Sequence, residues 1–112
     1  MKLELELNEQ EIFESYIQYI DKLSVEIIKL AEYFRTDKLE FGLRGILDLS
    51  EGLTWLNLSN EYLVNKNKVK EINFIAIQSY LLEINEGLEI GDYVLVADIL
   101  EYEIAPYFEQ IV

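Results

Sequence analysis

The sequence predicts an all-α protein: an antiparallel four-helix bundle with a short extended N-terminal segment. Three observations carry this. Apolar residues recur at spacings of three and four along four stretches of the chain, and short polar or glycine-containing breaks separate those stretches. Hydrophobic residues make up 51% of the 112 positions, enough to build one core without disulfide or metal support. Residues 1–112 are therefore expected to form a single domain.

The first element admits more than one reading. In "KLELEL", residues 2–7, Leu3, Leu5 and Leu7 alternate with Lys2, Glu4 and Glu6, the period of a half-buried strand. No second strand follows to pair with it. The segment can lie extended along the helices, pair with its own copy in a dimer, or begin the first helix early, and the extended form is the expectation. Asn8 is then the helix cap, with Glu11 completing a capping box. Ile12, Tyr16, Tyr19, Ile20, Leu23, Ile27, Leu30 and Phe34 make one apolar face, which predicts a helix over about residues 9–34.

"RTD", residues 35–37, interrupts the pattern, and Thr36 is the expected cap of a second helix over about 37–63. Its apolar face comprises Leu39, Leu43, Ile46, Leu49, Leu53 and Leu56. Gly42, Gly45 and Gly52 lie beside that face. Each glycine costs a helix on the order of 1 kcal/mol relative to alanine. The expected gain is close approach of a neighbouring helix backbone, with a ligand slot as the alternative.

"VNKNK", residues 64–68, reads as a loop. The third helix, over about 69–86, is apolar around most of its circumference through Ile72, Phe74, Ile75, Ile77, Tyr80, Leu81, Leu82 and Ile84. That predicts contact with both neighbouring helices or with a second subunit. Gly87 is the expected stop. The fourth helix, over about 92–111, starts at Asp92. Val96, Ala97, Leu100, Ile104, Tyr107 or Phe108, and Ile111 form its core stripe, and Pro106 should kink or restart it. The halves echo weakly: "LEFG" at 39–42 returns as "LEIG" at 88–91, and Asp48 with Glu51 returns as Asp98 with Glu101.

Composition restricts the chemistry. There is no cysteine and no histidine, so disulfides, thiolate catalysis, zinc–thiolate sites and imidazole-based triads are excluded. Asp and Glu number 22 against 9 Lys and Arg, a net charge of −13 that repels nucleic acid and anionic lipid and favours basic partners. No apolar run approaches the roughly 20 residues that span a bilayer, and "MKLELELNEQ" is too acidic for a signal peptide. A cytoplasmic protein is expected.

Two apolar rows are not needed by a monomeric bundle. Trp55, Leu58 and Tyr62 stand away from the core face of the second helix, and Leu95, Ile99 and Tyr102 form a second stripe on the fourth. Both are candidate partner surfaces. Asp98 and Glu101 flank the second row and would steer a basic partner. The same carboxylates, with Asp48 and Glu51 on a facing helix, are the only arrangement suggestive of a divalent-metal site.

The segments "FGLRGILDLSEGLTWL" (41–56) and "GDYVLVADILEYEIAP" (91–106) resemble a family of small, acidic, helical proteins of low-GC Gram-positive bacteria to which no function is assigned. The likeness runs over most of the chain beyond residue 8. It implies an all-helical domain in a bacterial cytosol and transfers no site residues. In size, acidity and helix pattern the chain is also similar to flagellar and type III export chaperones. The leading expectation is a non-enzymatic protein–protein interaction or homodimerisation module, without cofactor or metal and without a nucleic-acid or membrane partner. An export-chaperone-like binder of a basic or amphipathic helix, a carboxylate metal-dependent enzyme and a nucleic-acid mimic are the alternatives.

Overall fold

The computed structural model describes residues 2–111, with side chains from Asn8 onward. The described chain is all helical, and four helices pack together. Helix α1 covers Lys2–Arg35, α2 Leu39–Asn65 and α3 Phe74–Ile90. The fourth helix is a composite: α4 (Tyr93–Ile99), a π-helical turn (Leu100–Ile104) and α5 (Ala105–Ile111).

The "KLELEL" segment is helical from Lys2, so the extended N-terminal segment is corrected and Asn8 is no cap. A lone strand would leave its peptide groups unpaired, whereas continuing an existing helix adds a hydrogen bond per residue. Lys, Leu and Glu are all good helix formers. The orientation of Leu3, Leu5 and Leu7 lies outside the described side chains. At about 1.5 Å per residue, α1 accounts for the 50 Å long axis of the molecule.

Helix α1 is central. It packs closely against α2, α4, the π turn and α5, while α3 packs mainly on α4. Helix α2 approaches closely only α1. The core joins Tyr16, Ile20, Leu23 and Ile27 of α1 to Leu49, Leu53, Leu56 and Leu63 of α2, with Ile77 and Ile84 from α3. Val96, Leu100, Ile104 and Phe108 complete it from the composite helix.

Several boundaries move. Thr36 does not cap α2: its Oγ1 donates to the Glu32 carbonyl at 2.9 Å, closing α1, and Lys38 takes the cap position without a side-chain bond. Helix α3 starts at Phe74, after Asn73, whose Oδ1 accepts from Ala76 N at 3.3 Å. Its stop is Gly91, at φ 71°, and not Gly87. Gly87 is buried inside α3, where an added Cβ would stand 2.9 Å from a methyl of Val96. Asp92 caps α4 as expected, accepting from Leu95 N at 3.1 Å. Leu43 and Ile111, expected in the core, are exposed, as are Ile75 and Leu82 on the outward side of α3.

Pro106 has no N–H to give the helix, and its ring crowds the carbonyl four residues earlier. The chain absorbs this with the π turn, in which Ala105 N donates to the Leu100 carbonyl, five residues back.

Candidate functional site

Among the described residues no group of three or more Asp or Glu side chains is placed to hold a metal ion. Asp48 lines a groove between α1 and α2, whereas Asp98 and Glu101 lie on the composite helix, which α2 does not closely approach. The four carboxylates that might have faced one another are therefore not brought together.

Asp98 and Glu101 instead clasp Arg35 at the end of α1. Arg35 Nη2 donates to Asp98 Oδ1 at 2.8 Å, and Nε to Glu101 Oε1 at 3.3 Å. The guanidinium also lies 5.8 Å from the centre of the Tyr102 ring. The hydrogen bond to Asp98 is the largest influence and raises the Arg35 pKa; desolvation opposes it, and Glu101 adds to the rise. The two acids proposed to steer a partner thus carry an internal duty, fixing the start of the π turn to the end of α1. The single arginine of "RTD" was the available signal, and sequence reasoning read it only as part of a break.

The two apolar rows separate differently. Ile99 is 4% exposed and belongs to the core, while Leu95 at 37% and Tyr102 at 62% remain open. On α2, Leu58 is 62% and Trp55 37% exposed. Tyr62 is half-buried, with the Lys66 ammonium 5.7 Å from its ring centre. Trp55 meets the Tyr19 ring edge-on at 5.9 Å. The row on α2 continues into residues the sequence had assigned inward or left aside: Phe41, Leu43 and Leu47 are also exposed.

The glycines of α2 do admit close approach, though of α1 side chains and not of its backbone. Gly45 receives Leu30, and Gly52 receives the Tyr19 hydroxyl. Beside this seam runs a groove of about 520 Å³. Burial pushes the Tyr19 hydroxyl pKa up.

A second polar centre, unforeseen in the sequence, organises the loop after α2. Asn60 is buried; its Nδ2 donates to the Tyr16 hydroxyl at 2.8 Å and to the Lys70 carbonyl at 3.0 Å, and its Oδ1 accepts from Ile72 N at 3.1 Å. The Tyr107 hydroxyl accepts from Asn73 N at 2.8 Å and holds the other end of the same loop. Burial raises the Tyr16 pKa, with the Asn60 bond acting the other way.

These features define a helical protein that exposes large apolar side chains among a mostly charged surface. The chain belongs to a family described as a domain of unknown function (DUF8042), matched over residues 11–112. No match to it is found among curated proteins or among solved structures.

Proposed function

We propose that the chain is a non-enzymatic protein–protein interaction module that buries the outer face of α2 against a second protein surface, a second copy of itself being the simplest occupant. One observation supports this above the others. Helix α2 has a close helical neighbour on one side only, and its open side carries Leu43, Leu47, Trp55 and Leu58. Leu43 to Leu58 spans about 22 Å along the helix axis, long enough to seat a partner helix. Exposed Arg44, Glu51 and Thr54 stand among these apolar side chains, and large apolar residues set among polar ones mark association sites.

The surrounding charge suits a basic or neutral partner, because the chain carries −13 overall. The cytoplasmic, bacterial setting and the antiparallel arrangement of the four helices belong to the same reading. Its support on the first point is family resemblance, together with the finding that no described helix is long and apolar enough to cross a membrane.

Sedimentation velocity across the micromolar range tests the self-association form. The expected result is a mass rising towards two chains with concentration, and a return to one chain in the Leu47→Glu, Leu58→Glu double variant. A wild-type chain that stays monomeric throughout would remove the homodimer and leave only a heterologous partner for this face.

A further inference from the structure

The groove between α1 and α2 faces away from the fold's interior and has a design of its own. Its base is apolar, formed by Leu23, Ile27, Leu30 and Leu49, with Leu30 seated against Gly45. Two aromatic pairs bridge the helices at its limits: Tyr19 with Trp55 at one end, and Tyr33 with Phe41, 5.6 Å apart, at the other. From Tyr19 to Tyr33 is about 21 Å along α1. A trough stopped at both ends accommodates a bounded molecule better than a continuing helix. About 520 Å³ with mainly apolar walls is the size and character of a small-molecule site.

The charges on its walls are not those of the rest of the chain. Lys22, Lys29 and Arg44 line it, three of only nine basic residues in a protein of net charge −13. Glu26 and Asp48 also line it, both nearer the middle. Because Leu30 lies against Gly45 and the helices run antiparallel there, Lys29 and Arg44 stand nearly level on opposite walls. Lys29 is in no ion pair among the described residues, and Arg44 is held only by Glu40 one turn away at 2.9 Å, an exposed pair worth little.

The geometry points to a site for a monoanionic amphiphile of the fatty-acid class. Its carboxylate sits between Lys29 and Arg44, and its aliphatic tail runs over Ile27 and Leu23 towards Tyr19. Glu26 and Asp48 repel an anionic head from the middle of the trough and so fix this polarity. Lys22, alone at the far end, offers half the positive charge. Trp55 borders both this site and the outer face of α2 proposed for protein association. Lys29 and Arg44 line the trough whereas Leu47 and Leu58 do not, so the charge-reversed variant and the Leu47→Glu, Leu58→Glu variant let each fail without the other.

Dodecanoate is the probe, titrated below its micelle concentration into the full chain. Trp55, the only tryptophan, stands at the tail end and reports by fluorescence; calorimetry gives the stoichiometry. The expected result is saturable one-to-one binding with a change in Trp55 emission. Lys29→Glu with Arg44→Glu should weaken it at least tenfold, and Lys29→Gln alone should weaken it less. Both sites are exposed, and circular dichroism confirms that helicity is kept. Dodecyltrimethylammonium, with the same tail and opposite charge, should bind at least tenfold more weakly to the wild type. Absence of saturable dodecanoate binding would overturn the inference. So would equal binding by the charge-reversed variant, or equal binding of the cationic amphiphile.

Discussion

Replacing Asn60 by Leu removes a side chain that hydrogen-bonds α2 both to α1 and to the loop before α3. Three hydrogen bonds go at once: to the Tyr16 hydroxyl, to the Lys70 carbonyl and from Ile72 N. Lys70 is exposed and water can replace its partner, but Tyr16 and Ile72 are buried. Leaving a buried donor or acceptor unsatisfied costs about 1–3 kcal/mol per group. Two such groups, less the modest gain from burying a leucine in place of an amide, give a loss of about 2–4 kcal/mol. That is a large share of the roughly 5–15 kcal/mol typical of a domain, and corresponds to a fall in Tm of about 10 °C or more. Urea unfolding followed by circular dichroism and by Trp55 fluorescence measures it. The companion variant Tyr16→Phe, and the double variant, should show a non-additive pair, since both remove the same bond. A change below about 0.5 kcal/mol in Asn60→Leu, the level of an ordinary surface substitution, would refute the assignment of Asn60 as the fastening of this loop.

Three further outcomes are expected. Arg35→Met should destabilise by about 1 kcal/mol or less, since its partners are part-exposed, and the difference should shrink in high salt; equal losses at low and high salt would show that packing, not charge, is what Arg35 supplies. Gly91→Ala should cost about 1–2 kcal/mol through its left-handed backbone alone, because an added Cβ there meets nothing within 4 Å, and Gly91→Asn should cost less. The hydroxyls of buried Tyr16 and half-buried Tyr19 have folded pKa values raised by desolvation. Their contribution is complete below the unfolded tyrosine pKa of about 10 and falls as pH rises through the folded values. Thermal stability should therefore decline above that pH, and less steeply in Tyr19→Phe.

The helices were legible because amphipathic periodicity is a local property: Tyr16, Ile20, Leu23, Ile27 and Phe34 announce a face whatever they pack against. The ends were read less well, since termini depend on partners distant in sequence. Gly87 and Gly91 are both credible stops, and only the approach of Val96 to Gly87 distinguishes them. Residues 69–73 were taken as the start of the third helix because Ile72 extends the apolar pattern, and nothing local reveals that Asn60 claims the Ile72 N–H. Of the candidate surface, Trp55, Leu58 and Tyr102 were identified as outward, whereas Ile99 was placed on the same row by straight-helix geometry. The clasp on Asp98 and Glu101 needed a residue more than sixty positions away.

The π turn governs how the composite helix tolerates changes of length. Val96, Leu100, Ile104 and Phe108 are all fully buried, at a constant spacing of four. In an uninterrupted α-helix that spacing drifts by about 40° per step, roughly a third of a revolution over the run. The extra residue in the ladder between Leu100 and Ile104 turns the later part back towards the core. The composite helix is thus one rod in two registers, and its sequence can be read correctly only if that residue is counted out. Deleting one residue from 100–104 would mend the hydrogen-bond ladder and still damage the protein, by swinging Phe108 away from α1. A one-residue deletion in the exposed turn at 66–68 would leave that phasing intact.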